Sequence, residues 1–368
     1  MKNLSLYLIS AIFTASFILG GCTKDQGPEI DDQSILPSSF AVDIPDALSH
    51  ESGKKSAEWI DTLKGNDVYE HLRFFIRLGE YSAEIVEDVI VGIRLYQINQ
   101  PMEVTFEGDD DGRVKHLVVV EESEYDGRVW EFQLTLTDVD SEGNDDGGKA
   151  LQIFWDRNPI RGIALLKPSN IDRVNDSGLG QAMFRIDYSE EDPFYDATMM
   201  VYASGLPMPT PLEEPYAMKA MKMFAGKKGD IIDVYGNSDH PNALLLAGNP
   251  GFNWAFVASG NDVNDLGVAE VGLPPSNLDE PSRNKLLGYY GIGAVFEREI
   301  KAVWGNLVPQ QIIDAYLYNT EAPGYFDSHG FVTAGTSPSA SYDELDSRLP
   351  DLSPYNPKEV GNLSISFK

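Results

Sequence analysis

Arg128-Val129-Trp130-Glu131-Phe132-Gln133-Leu134-Thr135-Leu136-Thr137 decides how the chain is read. Trp130, Phe132, Leu134 and Leu136 alternate with Glu131, Gln133 and Thr135. Side chains of an extended chain point to opposite faces in turn, so this is a strand with one buried face. Ala182, Phe184, Ile186 and Tyr188 repeat the pattern against Gln181, Arg185 and Asp187. Residues 102–106, 113–121, 151–155, 162–167 and 196–203 read as further strands. The connectors Gly108-Asp109-Asp110-Asp111-Gly112 and Tyr125-Asp126-Gly127 carry residues that tolerate the positive φ of hairpin turns. Strands joined so briefly imply an antiparallel meander, because parallel neighbours need long crossovers.

N-terminal to this region, residues 56–96 carry apolar positions at helical spacing. Trp59, Ile60 and Leu63 form one set; Val68, Leu72, Phe75, Leu78, Ile85, Val86, Val89 and Ile93 form the next. Gly65 suits a helix end, Asp67 a cap, and Gly79 a weak point. Beyond the strands, residues 217–225 hold Met218, Met221 and Met223 among lysines and fit helix or strand, with propensity favouring helix. Residues 231–235, 243–247 and 253–258 read as strands, and 283–304 and 310–318 as helices. The last 50 residues read as a surface-wrapping tail with a closing strand at 363–367. The fold expected is α+β: a helical segment (41–100) on a large antiparallel meander (101–275), with a helical and loop-rich C-terminal part (276–368) packed on the same core. Such a sheet is long enough to curl toward an incomplete barrel.

The first residues are of a different kind. Lys2 precedes an apolar run from 4 to 19, which ends at Leu19-Gly20-Gly21-Cys22. The run is short for a permanent span, which needs about 20 residues. It resembles the signal peptide and lipobox of bacterial lipoproteins. The resemblance implies removal of residues 1–21, attachment of lipid to the Cys22 thiol, and a tether over 22–40. Each buried methylene contributes about 0.8 kcal/mol, so several acyl chains hold firmly. Thr23-Lys24-Asp25-Gln26-Gly27-Pro28-Glu29-Ile30-Asp31-Asp32 resembles, in part, the export signal of Bacteroidota surface lipoproteins. That implies an outer-membrane protein facing the cell surface.

Composition narrows the partners. The formal net charge is −30 over 368 residues, a field that repels nucleic acid and anionic lipid headgroups. The membrane is therefore reached through the lipid at Cys22 and not through a basic face. Cys22 is the single cysteine, so the chain has neither an internal disulfide nor a thiolate metal centre.

Candidate sites are few. Asp138-Val139-Asp140-Ser141-Glu142-Gly143-Asn144-Asp145-Asp146 resembles the first half of a helix-loop-helix calcium loop. Lys149 stands where that loop places its bidentate glutamate, so a solvated acidic hairpin is the competing reading. His50, His71, His116, His240 and His329 show no ligand spacing. Ser204 and Ser259 lack the Gly-x-Ser-x-Gly elbow, and Gly291-Ile292-Gly293 lacks the third glycine of a dinucleotide site. Trp130, Trp155 and Trp254 fall in strands and read as core, whereas Trp59 and Trp304 fall in helices. A glycan platform fits best around Tyr316, Tyr318, Tyr325 and Phe326. No catalytic residue, metal or cofactor is assigned. The expectation is a non-catalytic binding or accessory protein of the envelope, with a glycan, lipid or protein partner. The alternative is an extracellular hydrolase of glycan or peptide that works through carboxylates.

Overall fold

The computed structural model describes residues 35–49, 67–94, 98, 100–108, 111–174, 179–210, 217–242, 252–278, 282–353 and 357–368. Cys22 with its signal segment, the first part of the tether, His50, Trp59 with Ile60 and Leu63, and the strand expected at 243–247 lie outside these residues.

Helix α1 (Asp67–Arg94) leads into thirteen strands that follow one another across a single sheet. They are β1 (Met102–Glu107), β2 (Val114–Tyr125), β3 (Arg128–Asp138), β4 (Lys149–Arg157) and β5 (Ile160–Leu166), then β6 (Met183–Ser189), β7 (Ala197–Ser204), β8 (Ala220–Lys228) and β9 (Ile231–His240). The sheet ends with β10 (Phe252–Asn261), β11 (Leu266–Gly272), β12 (Gly324–Asp327) and β13 (Gly330–Ala334). Every neighbouring pair is antiparallel, and the order does not return from β13 to β1 among the described residues. The protein is thus a mixed α/β fold, mostly β, built on an open meander. Between β5 and β6 lies α2 (Pro168–Ile171). Between β11 and β12 come α3 (Arg283–Gly288), α4 (Ile292–Trp304) and α5 (Gln310–Tyr316). After β13 come α6 (Asp343–Arg348) and α7 (Pro357–Gly361).

One face of the sheet shares a continuous core with α1. Leu72, Phe75, Ile76 and Val86 of the helix are buried with Leu134, Trp155, Ile186, Met223 and Phe256 of the strands. Side chains of this size contribute roughly 1.5–3 kcal/mol each on burial. Residues 35–49, which the sequence reading placed partly in the tether and partly in the helical segment, run without helix beside α1. Much of the strap's backbone is hydrogen-bonded to helix side chains, and Ala47 donates to Asp265 at 2.7 Å. Ala41 donates its N–H to Glu87 at 2.8 Å, Ile44 donates to Glu80 at 2.6 Å, and Arg73 donates to the Asp46 carbonyl at 2.8 Å. A buried strap with no sheet partner needs such acceptors, since unpaired backbone groups are costly.

The other face is covered by the C-terminal chain. Ile231, Val257, Val268 and Tyr325 pack under Tyr342, Leu345 and Leu349, which belong to α6 and its flanking turns. Residues 363–368 form no sheet strand, contrary to the closing strand expected there. Ile365 and Phe367 instead lie on Trp130, Phe154, Ile163 and Leu165, and the Lys368 N–H donates to the Gln152 side chain at 2.8 Å. Of residues 217–225, those from Ala220 onward belong to β8 and none is helical. Ladders to β7 and β9 place Met221, Met223 and Ala225 in the core, and tertiary pairing overrides a weak helical preference.

Candidate binding cleft

Most of a candidate site's lining comes from the 51 residues between β11 and β12. Gly272 at the end of β11 pairs with Gly291 as an isolated bridge, and Leu273 donates to the Tyr290 carbonyl at 2.7 Å. Helix α3 starts at Ser282, whose hydroxyl accepts from the Lys285 N–H. Helix α4 buries Ile292, Val295, Phe296 and Ile300 on one face and ends at Gly305, whose φ of 57° suits glycine. Thr320 turns the chain back by donating to the Leu317 carbonyl at 2.7 Å. A Cβ on Gly293 would stand 3.1 Å from the Thr320 hydroxyl, so a small residue lets this turn approach the helix start.

These elements enclose a cleft of about 420 Å³ lined by Gly291, Gly293, Glu297, Asp314, Tyr318 and Glu321, among others. The Gln310 amide nitrogen donates to Glu297 at 3.1 Å and to Asp314 at 2.8 Å, so one donor bridges two carboxylates. Lys301 also pairs with Glu297. The bonds from Lys301 and Gln310 hold the Glu297 carboxyl below its usual range. A general acid for glycoside cleavage needs the opposite shift, because it must keep its proton at neutral pH. Tyr318 is 76% exposed on the rim, and Trp304 at the end of α4, Leu307 in the connection and Ile312 in α5 are exposed apolar side chains too.

In the acidic loop two of the carboxylates, Asp138 and Asp146, are held by cationic side chains. Asp138 is fully buried; Arg113 donates to both its oxygens at 2.7 Å and Lys115 at 3.0 Å. Burial pushes the Asp138 carboxyl up, but the bonds from Arg113, Ser141 and Lys115 outweigh it and hold the group well below the carboxylate range. Asp146 is taken by Lys167 at 2.6 Å and Asn170 at 3.0 Å. Asp111 is taken by Lys115 at 2.8 Å. Among the described residues no group of three or more acidic, histidine or cysteine side chains gathers as metal ligands would.

The remaining candidates scatter. His116 meets Glu103 at 2.8 Å, His240 meets Ser238 at 2.7 Å, and His71 packs edge-on to Trp254. The Ser259 hydroxyl donates to Asp233 at 2.8 Å, and Asp233 also pairs with Arg348; Ser204 is buried at the end of β7. Trp130, Trp155 and Trp254 are core. Of the four proposed platform aromatics, Tyr325 and Phe326 are buried and Tyr316 packs beside Phe296, which leaves Tyr318 at the cleft. Sequence reasoning set Gly291-Ile292-Gly293 aside as an incomplete nucleotide motif, yet it forms the cleft wall. Glu297, Gln310, Asp314 and Glu321 were not singled out at all. The only available signal was the exposed apolar side chains on an otherwise amphipathic α4–α5 pair. Comparison with protein-family models, with curated proteins and with solved structures gives no match to this chain.

Proposed function

We propose that this is a lipid-anchored protein of the outer membrane, held through acylated Cys22 and turned toward the cell surface, which binds a partner without catalysis. The lipobox and the acidic tether support the placement, and the net charge of −30 leaves lipid as the means of attachment. The sheet is read as an incomplete barrel wrapped around α1 and the strap. Helix and strap take the space that an apolar cargo would need, so binding falls to the outside. The single observation that carries the binding reading is the cleft between α4 and α5, open to solvent, with an exposed aromatic on its rim and its carboxylates in hydrogen bonds.

The hydrolase alternative has one observation in its favour, the close Glu297–Asp314 pair under Gln310. Two assays test the proposal. Cys22→Ser should abolish labelling by radioactive palmitate and move the protein out of the membrane fraction; retained labelling would refute the anchor. The purified mature chain should release no reducing sugar or peptide from envelope glycans and proteins. Turnover that disappears in Glu297→Gln and in Asp314→Asn would make it a hydrolase.

A further inference from the structure

We infer that the cleft, with the exposed apolar side chains of α4, α5 and their connection, docks a polypeptide segment that carries lysine or arginine beside apolar side chains. The inference rests on the binding reading of the same site and names its partner class. Glu297, Asp314 and Glu321 line the cleft, and among the described residues no lysine or arginine does. Lys301 answers Glu297, but Asp314 and Glu321 have no cationic partner among the described residues. The wider charge of the chain adds to the same sign, and a negatively lined cleft raises the local concentration of cations.

The same helices and their connection also expose apolar side chains. Tyr318 is 76% exposed, Leu307 85%, Ile312 58% and Trp304 41%. Clustered apolar side chains beside charge mark surfaces that bind other molecules. Tyr318 can also face a cation with its ring. An anionic ligand is repelled, and so is a second copy of this chain, since each brings a charge of −30. A neutral sugar could stack on Tyr318, but it would leave Asp314 and Glu321 uncompensated and use none of Trp304, Leu307 or Ile312. The site is fixed from below: the Tyr69 hydroxyl holds the Glu321 carbonyl at 2.6 Å, and Thr320 holds Leu317. A docking surface set in advance loses less freedom on binding.

The test uses the mature chain (22–368) at about 0.15 M salt, where the screening length is about 8 Å. Fluorescence anisotropy follows an eight-residue labelled peptide of alternating lysine and leucine. Its glutamate–leucine counterpart and a labelled neutral glucan hexasaccharide are run beside it. Binding of the lysine–leucine peptide should weaken about tenfold or more in Asp314→Asn/Glu321→Gln and in Tyr318→Ala, equivalent to about 1.4 kcal/mol. The control pair Glu142→Gln/Asp145→Asn removes the same charge from an exposed loop and should change it less than about twofold. Equal weakening by cleft and control variants would mean bulk attraction and overturn the inference, as would no binding of the basic peptide. Capture of the hexasaccharide alone, lost in the Tyr318 variant, would overturn it while leaving the binding function standing. Failure of all three probes together with hydrolytic turnover would remove both.

Discussion

Tyr69, in the first turn of α1, donates its hydroxyl to the backbone carbonyl of Glu321 at 2.6 Å, joining the buried helix to the rim of the cleft. Its ring stacks on Phe331 of β13 with centroids 5.0 Å apart, and a Cβ on Gly324 would meet that ring at 2.6 Å. Tyr69→Phe keeps the stack and loses one buried hydrogen bond, a cost of about 1 kcal/mol. Tyr69→Ala also opens a cavity and should cost about 3–5 kcal/mol, near the values for Phe→Ala. Urea unfolding separates the two. Indistinguishable midpoints for the Phe variant and the parent would mean that the bond to Glu321 adds nothing.

Two glycines face obstacles of different kinds. A Cβ on Gly236 in β9 would lie 2.2 Å from the Lys222 carbonyl oxygen and 2.9 Å from the Met223 Cα, both backbone atoms. At Gly79 in α1 the nearest atom is the Met223 methyl at 2.5 Å, at the end of a flexible side chain. Gly236→Ala should therefore destabilise by roughly 1–3 kcal/mol. Gly79→Ala should come close to neutral, since alanine regains about 0.5–1 kcal/mol in a helix. The reverse order in thermal melts would contradict the close packing of β8 on β9.

Stability should have an acid arm and a neutral arm. Asp138 is held below its usual value by Arg113, Ser141 and Lys115 despite burial, so its charged form favours the fold. That contribution is present above the unfolded value near 3.8 and is lost as pH falls below it. Burial pushes the Glu80 carboxyl up to about 7, against hydrogen bonds from Ser49, Ile44 and Arg77. Its contribution is complete below about 4.5 and lost as pH rises through about 7. Glu80→Gln should flatten the decline between these values. Asp138→Asn should cost about 3 kcal/mol at pH 7, because it leaves buried Lys115 with Asp111 as its one remaining carboxylate partner among the described residues. Urea midpoints from pH 3 to 8 read both arms, and an unchanged slope in Glu80→Gln between pH 4.5 and 7 would disprove its assignment.

Strands with one wet face were legible, as the alternation of β3 and β6 shows. Burial on β3 follows the letter pattern from Trp130 to Thr137 and breaks at Asp138, which is buried although charged. In β9 and β11 the outer face lies under the C-terminal chain, so nearly every position is buried and period two disappears. β8 shares this, and its Met and Lys content then suggested helix. The strap of residues 35–49 left no periodic trace because its backbone meets carboxylates far along the chain: Glu80 and Glu87, 36 to 47 residues away, and Asp265, 218 away. The cleft was illegible for a similar reason. Its wall and floor come from Gly291, Glu297, Asp314 and Glu321, brought together by the Gly272–Gly291 bridge and the Thr320 turn and not by any spacing in sequence.

That binding occurs at this cleft, and not within the sheet, is tested most directly by hydrogen–deuterium exchange of the mature chain with and without the lysine–leucine peptide. Added protection is expected in residues 287–297 and 310–322, with the inner strands β4 to β7 unchanged. Protection confined to those strands or to the strap at 35–49, with the cleft segments exchanging as before, would place the site elsewhere and contradict the assignment.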